Sequence, residues 1–357
     1  MCLLVILTNK RLPSGIRFKS IRMRFFVLVA FALSILPPAA TAQDLHYSQY
    51  YHNPMHLNPA STGLFRGDMR AAALYRTQWS TVPVSYQTFA GAFDWKALRR
   101  KDNLVSAGFL LQHDQAGDAA LTWTQVGFTG SVAHAIGATQ ALSAGFGIAF
   151  AQRSFDISRL KFKNQWGGDY FDPSLPSKET FGNRSGLFPT FSAGLNWLYE
   201  PADVRTRILA GIGAFHLNRP LSGFADDTDI RLPVRLTAHV NAAVQLNEWL
   251  DLVAIGVWQQ MTTAREIVAG AGLRRILETS TTGSVTAVQL TLSTRLGDAL
   301  IPAVQVERGS WTLGISYDWN TSEFSTATNK HGGLELALVY RTLPVPPPKF
   351  FKACPIF

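Results

Sequence analysis

Trp311-Thr312-Leu313-Gly314-Ile315-Ser316-Tyr317-Asp318-Trp319-Asn320 alternates without a break, with aromatic and branched side chains at odd positions and small or polar ones at even positions. Side chains point to opposite faces of a strand in turn, so this stretch has one apolar and one polar face. The same rhythm runs through Ala141–Ala151, where Leu142, Ala144, Phe146, Ile148 and Phe150 oppose Ala141, Ser143, Gly145, Gly147 and Ala149. It returns near the end, where Leu334, Leu336, Leu338 and Tyr340 oppose Gly333, Glu335, Ala337 and Arg341.

Carried outward, the pattern gives fourteen segments, near 70–80, 85–97, 103–114, 120–133, 139–155, 188–199, 204–216, 233–246, 249–262, 264–275, 285–295, 299–308, 310–320 and 331–341. Most exceed the 5–6 residues usual for globular strands and suit a tilted bilayer crossing. Trp79, Trp95, Trp197, Tyr199, Trp258, Trp319 and Tyr340 stand toward segment ends, where an interfacial girdle belongs. The expectation is an all-β fold: a transmembrane antiparallel up-and-down β-barrel of about fourteen strands. With both termini in the periplasm, the long connections 156–187, 217–232 and 321–330 all fall outside, as such barrels require. The connection 276–284 is the exception, a long one on the inner side, and 249–262 alternates poorly. A soluble propeller or sandwich also alternates, but with shorter strands and more surface Lys and Glu.

Composition agrees. Hydrophobic residues make up 47 % of the 357 and charged residues 16 %, against about 25 % charged in ordinary globular domains. The net charge of +9 is concentrated at the start: removing Lys10, Arg11, Arg17, Lys19, Arg22 and Arg24 from 33 basic residues leaves 27 against 24 acidic ones. Nucleic-acid binding thereby loses its compositional support. Residues 23–42, with an apolar run from Phe25 to Leu36, Pro37-Pro38 and Ala40-Thr41-Ala42, read as a secretory signal peptide. Residues 1–22 then read as an upstream extension from a mis-called start. Cleavage leaves Cys354 as the single cysteine, so no internal disulfide forms. The remainder divides into an N-terminal segment 43–66, a barrel 67–341 and a tail 342–357, with the outer membrane as location.

Few residues carry recognisable chemistry. His46, His52 and His56 beside Asp44 fit no standard metal spacing, and interfacial or plug packing explains them better. His113-Asp114 near the predicted outer edge would need an aligned nucleophile or water to act as a hydrolase pair. Asp226-Asp227-Thr228-Asp229 lacks the spacing of a calcium loop and reads as a solvated turn. No catalytic, cofactor or metal residue is expected. The candidates for contact with a partner or for filling the bore are Asn53, Pro54, Asn58, Pro59, Tyr75 and Trp79. Each proline drives the preceding Asn out of helical conformation, and the interleaved Tyr47, Tyr50, Tyr51, Met55 and Leu57 need burial. Segment 43–66 therefore either packs in the bore, with Asn53, Asn58 and the tyrosines bonded to inward polar groups, or docks a partner.

These residues also carry a resemblance. Gln43-Asp44-Leu45-His46-Tyr47-Ser48-Gln49-Tyr50, Asn53-Pro54-Met55-His56-Leu57-Asn58-Pro59-Ala60 and Tyr75-Arg76-Thr77-Gln78-Trp79 resemble the opening of the PorP/SprF family of Bacteroidota outer-membrane proteins. Ala151–Asp156, His216–Pro220, Ser316-Tyr317-Asp318 and the terminal Cys354-Pro355-Ile356-Phe357 continue the match in order. The resemblance implies a component of the type IX secretion and gliding-motility machinery. Its implied partners are periplasmic ring components and exported cargo, notably adhesins with a C-terminal sorting domain. The alternative is a passive porin or small-solute uptake channel. Fold cannot separate the two; the inward faces read as largely Gly, Ala, Ser and Thr, with no charged constriction.

Overall fold

The computed structural model describes residues 45–78, 86–117, 119–168, 170–179, 185–223, 230–280, 284–322 and 325–342. The signal peptide, the upstream extension, Trp79, the Asp226–Asp229 cluster and Cys354 lie outside them.

Fourteen antiparallel strands close into one barrel, each paired with its sequence neighbours and the first with the last. They are β1 Met69–Gln78, β2 Tyr86–Arg100, β3 Asn103–Ala116, β4 Leu121–Ile136, β5 Gln140–Ser154, β6 Ser185–Tyr199 and β7 Arg207–Phe215, followed by β8 Arg235–Gln245, β9 Leu250–Met261, β10 Ala264–Thr279, β11 Val285–Arg295, β12 Ala299–Arg308, β13 Trp311–Asn320 and β14 His331–Arg341. A single helical turn, α1 (Ser325–Thr328), precedes β14. Closure gives every strand a paired neighbour on each side. Among the described residues, no helix is long and apolar enough to cross a membrane.

The barrel is inside-out relative to a water-soluble one. On β13, Trp311, Leu313, Ile315 and Trp319 are 44–52 % exposed, whereas Thr312, Ser316 and Asp318 are 2 % exposed. A side-chain period of two fixes this: on β13 one register places Trp311, Leu313, Ile315 and Trp319 outward together. Trp95, Trp197, Trp249, Trp311 and Tyr340 stand on the outer surface toward one rim, Trp319 toward the other.

That first rim, where β1 begins and β14 ends, is here the terminal rim; its connections are short, at 101–102, 137–139, 200–206, 246–249, 280–284 and 309–310. The long connections, 155–184, 216–234 and 321–330, all lie at the opposite, loop rim. The long inner connection read from sequence at 276–284 is corrected. β10 runs on to Thr279, because a bulge between Ile276 and Glu278 absorbs the break in alternation and lets pairing continue. The poor alternation of β9 also has a cause. Its inward Val253, Ile255 and Val257 are apolar because they pack against Tyr50 and Leu57 of the N-terminal segment.

Candidate functional site

The interior of the barrel is occupied by the chain that precedes β1. Residues 45–66 fold into three consecutive 3₁₀ turns, Tyr50–His52, Pro54–His56 and Pro59–Ser61. Pro54 and Pro59 each open a turn, the position where a missing N–H costs nothing. Asn53 (φ −129°) and Asn58 (φ −162°) precede them in non-helical conformation. The backbone therefore reverses every few residues and never forms a continuous helix. Nearly every side chain from Tyr47 to Phe65 is buried.

Asn58 fixes the lower half of this segment. Its side-chain amide donates to Leu195 O at 2.9 Å, Asn196 Oδ1 at 3.0 Å and Ile212 O at 3.0 Å. Its Oδ1 accepts the Ala60 N–H at 2.9 Å, capping the last turn. Ser143 Oγ donates to Ala60 O (2.9 Å), Ser131 Oγ to Thr62 O (2.7 Å) and the Gly63 N–H to Asp94 (2.8 Å). Close approach is possible because the facing wall is glycine. A methyl group at Gly145 would fall on the backbone of Pro59 and Ala60, and one at Gly194 on the Asn58 amide.

A buried ionic cluster holds the upper half, toward the loop rim. Glu335 accepts the N–H of Ser48 (2.8 Å) and of Gln49 (2.7 Å). Asp318 accepts Ser48 Oγ at 2.6 Å and both Arg76 and Arg295 at 2.8 Å. Arg76 also donates to His46 O at 2.9 Å, and His46 lies 3.6 Å from Glu266. Arg76, Asp318 and Glu335 are each at most 3 % exposed. Buried charges of this kind persist only when paired and hydrogen-bonded, and the N-terminal backbone supplies part of that pairing. The wall is thus more charged than the Gly, Ala, Ser and Thr read from the sequence. Arg76, Asp94, Glu266, Arg295, Asp318 and Glu335 all occupy inward positions. The missed signal was their phase: each falls on the polar face of its own alternating strand.

The other side of the bore is looser. A cavity of about 390 Å³ lies between Tyr51, His52 and Pro54 and the lower halves of β7 to β14, reaching the terminal rim. The Nε2 of His52 and the Oδ1 of Asn241, both lining it, have no hydrogen-bond partner among the described residues. Burial, reinforced by the nearby Arg341 and Arg70, pushes the His52 pKa down to about 3, so the ring is neutral.

The sequence candidates divide accordingly. Asn58 and Pro59 sit against the β4–β7 wall and Pro54 lines the cavity. Asn53, expected to bond inward polar groups, does not: both amide atoms are buried without a partner among the described residues. Its backbone instead closes the two flanking turns, receiving the His56 N–H and donating to Tyr50 O. Among the tyrosines, Tyr47 accepts a long 3.4 Å bond from Gln112, while the Tyr50 hydroxyl lacks a partner among the described residues. Tyr75 faces outward from β1 and is 41 % exposed; its neighbour Arg76 is the one that enters the bore. His46, His52 and His56 turn to different partners: Glu266, the cavity, and Gln112 with Tyr47. His113 is exposed and bonds Thr124 at 2.9 Å, while Asp114 on the next position accepts Thr88 Oγ1 at 2.6 Å, so the pair does not converge.

Comparison with known proteins gives one family. The profile described as type IX secretion system membrane protein PorP/SprF matches residues 39–340. No curated protein matches the chain. Among solved structures, the chain is similar to a Pseudomonas aeruginosa FadL homologue (10 % identity, 79 % of this chain and 92 % of that one, TM-score 0.45). It is similar also to the Ralstonia pickettii toluene transporter TbuX (11 %, 82 % and 94 %, 0.43). A third is the translocator domain of the autotransporter NalP from Neisseria meningitidis (11 %, 77 % and 88 %, 0.32). At this level of likeness none of the three bears on the site.

Proposed function

This chain belongs to the PorP/SprF family of type IX secretion system membrane proteins, and from that premise we propose that it supports export or surface attachment of particular cargo by binding partners, with its bore closed. It is an outer-membrane β-barrel. The cargo are adhesin-like proteins bearing a C-terminal sorting domain, and the machinery partners are components of the periplasmic ring. Lipid covers the apolar outer face. Residues 45–66 act as a plug.

One observation carries this reading: the N-terminal segment occupies the bore and completes the wall's own charge pairing, with the Ser48 and Gln49 N–H groups on Glu335 and Ser48 Oγ on Asp318. A diffusion porin needs an open polar lumen, whereas withdrawing this segment would leave buried carboxylates short of partners. The reading uses no catalytic step. Deleting the gene is expected to reduce surface display of one or a few large adhesins while growth on small nutrients stays normal. Loss of uptake of one solute with every adhesin still displayed would establish the channel instead.

A further inference from the structure

The cavity at the terminal rim is framed by Arg66, Arg70, Arg205, Arg207, Arg274 and Arg341. Among the described residues, four carboxylates are bonded to these six guanidinium groups. Asp94 holds Arg70, Glu200 is shared by Arg66 and Arg207, Asp251 by Arg205 and Arg274, and Glu307 by Arg274 and Arg341. Six against four leaves two positive charges in excess. Each arginine also keeps at least one nitrogen without a bond among the described residues: Nη1 of Arg70, Arg205 and Arg341, Nε of Arg207 and Arg274, and both terminal nitrogens of Arg66. Unspent donors on several planar forks are the recognition chemistry of carboxylates.

Behind the arginines the cavity changes character. Leu209, Val253, Ile255 and Val339 form apolar lining, and the His52 Nε2, on a ring 7 % exposed, is unpartnered beside them. The volume of about 390 Å³ lies within the range of sites that hold a ligand. Long loops mark the extracellular side of such barrels, so the terminal rim faces the periplasm.

We propose that this cavity is a binding site for an acidic stretch of polypeptide entering from the periplasm, its carboxylates on the spare arginine donors and its apolar side chains on the lining behind them. The inference deepens the export reading by giving the chemistry of a partner, and it rests on that reading. A lipid headgroup does not fit, because the arginines face the bore and not the outer, lipid-facing surface. The chain's own residues 343–357 carry Lys349 and Lys352 and no acidic side chain, so they do not complement the charge.

The test uses the purified full-length mature protein in detergent and a fluorescent peptide alternating Glu and Leu, with the Gln-for-Glu peptide as its neutral match. Anisotropy is expected to show the acidic peptide bound at least about tenfold more tightly, with affinity falling as salt rises. The double variant Arg66→Gln, Arg205→Gln is the informative one. Neither residue lies in a strand, and Arg207 and Arg274 keep Glu200 and Asp251 paired, so heat modifiability should be retained. It is expected to lose at least about tenfold in peptide affinity. Equal binding of the two peptides, or an unchanged double variant, would overturn the inference. So would specific displacement by inorganic phosphate beyond that by chloride at equal ionic strength, which would mark a phosphate site. The export reading fails separately, through normal adhesin display after gene deletion. Peptide binding lost in the double variant with adhesin display intact would overturn the cavity as the docking place and leave the export reading standing.

Discussion

The N-terminal segment meets two different walls. Toward β4–β7 it is bonded through Asn58, Ala60 and Thr62, and glycines let the backbones come into direct contact. Toward the lower halves of β7–β14 it faces a cavity, with His52 Nε2 and Asn241 Oδ1 unpartnered among the described residues. An interface satisfied on one side and open on the other is a fixture with a working face, since only the loose side leaves room for a ligand. In energetic terms, the two walls should respond very differently to the same kind of change.

Deletion of residues 45–62 removes both contacts at once and should have the largest effect. The barrel, closed by β1 on β14, is expected to stay folded and heat-modifiable, while planar-bilayer conductance rises well above the wild type. Unchanged conductance, with the deletion still folded, would break the idea that this segment seals the bore. Next comes the ionic cluster. Arg76→Met strips Asp318 of one guanidinium and His46 O of its donor, and breaking a buried pair of this kind costs about 3–5 kcal/mol. The predicted readout is faster protease cleavage within residues 45–66 and a lowered unfolding temperature in detergent.

A matched pair sharpens the contrast between walls. Asn58→Ala leaves three acceptors and one N–H without their partner, and should cost about 1–3 kcal/mol. Asn241→Ala, on the cavity side, should stay within about 0.5 kcal/mol. Equal effects in chemical denaturation would mean that the two walls hold the segment alike. Near neutrality the smallest expected effect is that of pH, which grows only on the acid side. The docked His52 has its pKa lowered to about 3, whereas a released segment has the ordinary value near 6.5. Docking is therefore fully favoured above about pH 6.5 and weakens progressively as pH falls toward 3, because the released state binds the proton first. Conductance should rise on the acid side of that window, and His52→Gln should flatten the His52 part of the response.

Thirteen of the fourteen strands were legible from alternation, since a membrane-facing surface and a filled interior impose opposite demands on successive residues. The segment 249–262 was hardest to read, and its structure says why: inward Val253, Ile255 and Val257 match an apolar partner, Tyr50 and Leu57, far away in the chain. The proline breaks at Pro54 and Pro59 were equally visible, as local sterics decide them.

Sequence by itself therefore determined the strand count, the inward and outward faces and the bent backbone of residues 45–66, because each depends on a residue and its near neighbours. Only the tertiary structure decided what meets inside the barrel. Closing β1 on β14 brings Asp318 and Glu335 onto Ser48 and Gln49 across more than two hundred residues of chain, and sets Arg76 against Asp318. It also gathers six arginines from four separate places in the sequence around one cavity. A charge on a strand reveals its face from the alternation, but its partner depends on register and curvature, which no local pattern carries.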